Sequence, residues 1–75
     1  MKVVTARAKD YAPPKVNFER TRKLWSAYLG KELSLDDVAA LNILQKISRL
    51  MHKYQPDSVE DIKGYAECWR LVNEN

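Results

Sequence analysis

The stretch from Ser34 to Pro56 constrains the fold most. Ser34 stands where a helix N-cap belongs, and Asp37 occupies the N3 position, the carboxylate partner of a capping box. Leu33 and Val38 fall at the N′ and N4 positions of a hydrophobic staple. Downstream, Ala40, Ile43, Leu44, Ile47, Leu50, Met51 and Tyr54 recur at 3–4 spacing. That period predicts a helix over about 35–54 with one long buried stripe, ended by Pro56. Val38 and Leu41 lie off the stripe and form a second apolar edge. A central helix with two neighbours would need that edge, and so would a dimer interface.

Two further helices can supply the neighbours. Before the first, "KVVTA" has no strand partner, and Pro13 and Pro14 impose an extended segment, so residues 1–16 read as an irregular N-terminal arm. A single helical domain then occupies 17–75. Its first helix, about 18–29, takes Asn17 as N-cap and Gly30 as the left-handed C-terminal residue. Phe18, Leu24, Trp25, Tyr28 and Leu29 share its apolar face, Arg20, Arg22 and Lys23 lie mainly outside it, and Glu19 can pair with Lys23. The last helix, about 59–73, repeats the Ser-x-x-Asp spacing at Ser58 and Asp61 and turns Ile62, Tyr65, Ala66, Trp69 and Val72 inward. Gly64 inside it costs about 1 kcal/mol relative to alanine and marks a close approach. The fold class is therefore all-α, a three-helix bundle with an N-terminal arm.

A chain of 75 residues makes one small domain of marginal stability. The single Cys68 excludes an internal disulfide, and no Cys/His cluster has zinc spacing, so self-association, most simply a homodimer, is the expected supplement. No apolar run reaches a membrane span and no signal-peptide core is present. The host cytoplasm is the expected compartment, which a lone thiol suits.

Charge is uneven. Residues 1–31 hold eight Lys/Arg against Asp10 and Glu19, whereas residues 32–75 hold five against eight Asp/Glu. The basic half can meet phosphate or an acidic partner, or the opposite end of another copy.

Three groups of residues can carry chemistry. Asp57, Glu60 and Asp61 complement the start of the last helix, which needs no metal. Magnesium would need carboxylates converging from more than one element, with Asp57 and Asp61 the candidate ligands. Lys46, Arg49 and Lys53 follow Asn42 at helical spacing, away from the main apolar stripe. They read as a solvated face, as partners of Asp57 and Asp61, or as a phosphate-holding surface. His52 has no nucleophile beside it in any motif that would make a dyad with Cys68, and Trp25 and Trp69 fit packing faces. The arm's "ARAKDY" joins basic residues to an aromatic, too briefly to define a nucleic-acid contact.

The run R-x-x-DY-x-x-P-x-x-NFER, then LWSAYLG, DVA, K-I-S-R-L and DS-x-x-DI-x-GYA, resembles an uncharacterised small helical domain family of bacteriophage and prophage proteins over residues 7 to about 69. Ser48 and Glu67 depart from that family's pattern without disturbing the helical period. The last motif is in turn loosely similar to the Asp-x-x-x-Tyr-Ala ending of MazG-like nucleotide pyrophosphohydrolases. That kinship implies magnesium held by Glu-Glu-x-x-Glu and Glu-x-x-Asp helices. Here Glu-Glu-x-x-Glu is absent throughout, and Glu-x-x-Asp is absent from the last helix, where Glu60 and Asp61 are adjacent and Asp57 and Asp61 are spaced i,i+4.

The resulting expectation is a phage- or prophage-encoded accessory protein that binds rather than catalyses. Lys46, Arg49, Lys53, Asp57, Asp61 and Tyr65 would hold a phosphate-bearing, nucleotide-like ligand. One alternative is a magnesium-dependent pyrophosphohydrolase-like enzyme. Another is a module that binds a host protein through Arg20 and Lys23. Duplex nucleic acid is not an expected partner, because no helix-turn-helix pattern is present and the second half is acidic.

Overall fold

The computed structural model describes residues 13–74, which form three helices: α1 (Pro14–Leu29), α2 (Leu35–His52) and α3 (Pro56–Glu74). The all-α, three-helix expectation holds. Residues 1–12, which include most of the proposed arm and "ARAKDY", lie outside the described residues.

The α1–α2 turn is built as the sequence predicts. Gly30 closes α1 in the left-handed region at φ 65°, ψ 31°, and Lys31 N–H donates back to the Ser26 carbonyl at 3.1 Å. Ser34 then caps α2: Asp37 N–H donates to Ser34 Oγ and Ser34 N–H donates to Asp37 Oδ2, both at 3.0 Å. Leu33 and Val38, the staple positions, are both buried. Arg22 fastens the turn, donating to Glu32 at 2.7 Å and to the Leu33 carbonyl at 3.3 Å. It also takes Glu19 at 2.8 Å, so Arg22 rather than Lys23 is the partner of that carboxylate.

Both proline starts differ from expectation. Helix α1 begins at Pro14, not near residue 18, and Asn17 lies inside its first turn, donating its backbone N–H to the Pro13 carbonyl at 3.1 Å. Helix α3 begins at Pro56, so Ser58 is a first-turn residue and not the N-cap. The reason is common to both. A proline in the first turn loses only an N–H that has no intrahelical acceptor, and its fixed φ is already helical. The second helix stops at His52, and Lys53 is extended, which leaves Tyr54 outside it.

The core is small: Phe18 from α1, Val38 and Ala39 from α2, and Cys68 and Val72 from α3. Trp25, Leu35, Tyr65 and Trp69 pack around it. Helices α2 and α3 form the main hairpin, and α1 lies against both. At the far end of the hairpin Asp36 Oδ1 accepts from Trp69 Nε1 at 2.7 Å and from Asn73 Nδ2 at 3.0 Å, tying the start of α2 to the last turns of α3. These bonds, Asn73 foremost, hold the Asp36 carboxyl below the usual carboxylate range. Arg70 lies between Glu67 and Glu74 on α3 and lowers Glu67 in the same way.

The orientation of the faces overturns three expectations. In α2 the inward line is Leu35, Val38, Ala39, Asn42 and Lys46, while Leu44, Ile47, Met51 and Tyr54 of the predicted buried stripe are exposed. In α1, Phe18 and Trp25 turn inward but Leu24, Tyr28 and Leu29 do not. In α3, Cys68 replaces the exposed Ala66 on the inner line. The physical cause is the number of neighbours. The molecule measures 33 × 29 × 20 Å. Its least dimension is about two helix diameters of 10–12 Å, so each helix has a side that no other described helix covers.

Candidate functional site

Rotation of α2 brings Lys46 to face α3. Lys46 Nζ lies 3.0 Å from Asp61 Oδ2, with side-chain exposures of 18% and 9%. Of the readings open for the basic stripe, pairing across the hairpin therefore applies to Lys46. The opposite charge is supplied by the Asp61 that spacing assigned to a helix cap. Tyr65, one turn beyond Asp61, is half-buried against the core. Arg49, Lys53 and Asp57 are exposed and make no ion pair among the described residues. The six predicted ligand residues thus divide into a buried line, Lys46–Asp61–Tyr65, and a solvated set at the α2–α3 turn.

A cleft of about 160 Å³ opens between α1 and the hairpin. Its walls are Pro14, Asn17, Phe18, Thr21 and Trp25 of α1, Asn42 of α2, and Tyr65 and Cys68 of α3. Asn42 precedes Lys46 by one helical turn, and Tyr65 follows Asp61 by one turn. The ion pair and the cleft are therefore adjacent along the same two helices. Rings from Phe18, Trp25 and Tyr65 meet amide and hydroxyl groups from Asn17, Asn42 and Thr21, a composition suited to a small planar polar molecule. Sequence reasoning placed Asn17 as a cap and Asn42 at the head of the basic stripe, and gave neither of them, nor Thr21, a place in a site. The available signal was the line Asn42–Lys46, polar residues on the side of α2 that carries Val38 and Ala39, but the stronger apolar stripe outweighed it.

Among the described residues, no three His, Cys, Asp or Glu side chains converge to hold a metal ion. Asp61 turns toward Lys46, so the candidate pair Asp57 and Asp61 does not fit magnesium without ligands from elsewhere. On α1, Arg20 and Lys23 are exposed beside Val16, Lys15 and Glu19 along one open groove. Arg20 donates across a long 3.4 Å contact to Asn17 Oδ1.

The arrangement defines a small all-α module with one ion pair held between two helices and a polar cleft beside it. The chain belongs to the domain family DUF6378, described as a domain of unknown function, whose pattern matches residues 1–73. It is similar to the Gene 55 protein of Mycobacterium phage L5, at 50% identity over 62 residues, which cover 80% of this chain and 40% of the relative. It is also similar to the Gene 55 protein of Mycobacterium phage D29, at 45% identity over 69 residues, covering 91% and 46%. The chain spans less than half the length of these curated relatives. No solved structure matches. The expectation of a small phage protein family holds. No helix among the described residues is long and apolar enough to cross a membrane.

Proposed function

We propose that this chain is a phage accessory module that binds a small phosphate-bearing ligand without transforming it. The observation that carries the reading is the cleft lined by Asn17, Thr21, Asn42 and Tyr65 next to the Lys46–Asp61 pair. A planar base would enter against Trp25 and Tyr65, and its phosphate would run toward Lys46 and out to Arg49 and Lys53. Asp61 holds the Lys46 ammonium in place, and Asp57 flanks the outer cations. Calorimetric titration with nucleoside mono-, di- and triphosphates, each with and without magnesium, tests this. Saturable heat that is lost in Asn42→Ala and weakened in Arg49→Gln/Lys53→Gln is the expected result. No heat and no thermal stabilisation at millimolar ligand ends the idea.

A MazG-like hydrolase would need Asp61 released from Lys46 and further magnesium ligands supplied by another chain or segment. Release of pyrophosphate that requires Asp61 would favour that reading over ours.

The exposed Val16 beside Arg20 and Lys23 favours a second reading, in which α1 docks on an acidic host protein. Pull-down from host lysate, compared with Arg20→Glu/Lys23→Glu, separates the two readings: only the docking reading predicts loss of a captured protein.

A further inference from the structure

We infer that the outer face of α2 is a dimer interface, closed by α2 of a second copy packed antiparallel across a two-fold axis. Ala40, Leu44, Ile47 and Met51 follow one another at spacings of four, three and four residues, the 3.5-residue period of a helix–helix seam. Leu44 is 56% exposed and Met51 84%, so none of the other described residues covers this seam. Leu41 widens it, and Tyr54 extends it just past the helix end. Together these exposed side chains present on the order of 500 Å² of surface, toward the upper end of the largest apolar patch an ordinary monomer carries, a size that is often functional. Two such faces with their polar rims come near the lower bound of a specific interface, about 1,200 Å² in total.

Three features select a second copy and its direction. From Val38 to His52 the exposed side of α2 carries one charged residue, Arg49, which lies on the flank away from the seam. Two copies therefore meet there without like-charge contact. Antiparallel pairing sets Leu44 against the partner's Ile47, and small Ala40 against the partner's large Met51; parallel pairing would set Ala40 on Ala40 and leave a gap. The helix ends also complement each other: an antiparallel partner brings the positive end of one α2 dipole beside the negative end of the other.

Sedimentation equilibrium of the whole chain over a dilution series up to roughly millimolar concentration tests the proposal. The expected result is a monomer–dimer equilibrium that Met51→Glu shifts to monomer with an unchanged helical circular dichroism signal. Because Met51 is so exposed, this variant should fold. Leu44→Glu provides the second check. Direction is read by mixing Ala40→Cys with Met51→Cys chains under oxidation: the antiparallel dimer favours the mixed disulfide over either homodimer. A chain that stays monomeric throughout, a dimer unaffected by both glutamates, or preferential Ala40→Cys self-linkage would each overturn it.

Discussion

Lys46 and Asp61 show how one pair of side chains can set a helix rotation. A lysine with 18% of its side chain exposed is retained between helices only because a carboxylate lies 3.0 Å away. Lys46→Met should destabilise the protein by about 2 kcal/mol, since it leaves a carboxylate facing a drier surface without its cation. Adding Asp61→Leu should recover part of that loss, because two apolar groups of similar volume satisfy each other. Urea denaturation of the single and double variants measures both effects. Gly30 is a separate case: a Cβ there would meet nothing within 4 Å, so the cost of Gly30→Ala is confined to its φ of 65°. About 1 kcal/mol is expected in the same assay.

Among the elements, α2 is held at both ends by local chemistry. Ser34→Ala removes the acceptor of the Asp37 N–H and should cost about 1 kcal/mol in denaturant midpoint. Asp36 links the same helix start to Trp69 and Asn73, and its lowered pKa gives that link a pH signature. A carboxylate whose folded pKa is depressed contributes stability above its ordinary value, 3.8 for Asp36, and loses it as pH falls through the lower folded value. The melting temperature should therefore drop below that ordinary value, and Asp36→Asn should show a shallower drop. The readable parts of these elements were those written within a turn: the Ser34–Asp37 box, the Gly30 cap, and the end of α2 before Pro56. The starts of α1 and α3 lie earlier than the capping pattern predicts, because Pro14 and Pro56 open their helices and a proline is a favourable first residue there.

For the whole molecule, three helices in about two layers bury little. Among the described residues only six hydrophobic side chains are buried, and large apolar groups on α1 and α2 remain in water. A protomer of this kind gains stability by mass action if copies associate. The melting temperature should rise with protein concentration, and Met51→Glu should remove that dependence. Scanning calorimetry at several concentrations reads both. A flat wild-type response would mean that the exposed α2 face is not stabilised by a second copy.

The amino-acid sequence by itself determined the three helices, their order, the Ser34–Asp37 box and the Gly30 cap. Those features depend on residues three or four apart, which the chain spells out directly. It also placed Lys46 and Asp61 among the residues of interest, and the recurring motifs pointed to a phage family. The tertiary structure decided which side of each helix faces in. Helix α2 carries apolar residues around most of its circumference, so periodicity alone admits more than one rotation. Only contact with α3, through Val38, Ala39 and the Lys46–Asp61 pair, selects among them. The cleft had the same origin: Asn17, Thr21, Asn42 and Tyr65 come from all three helices, and only packing brings them together.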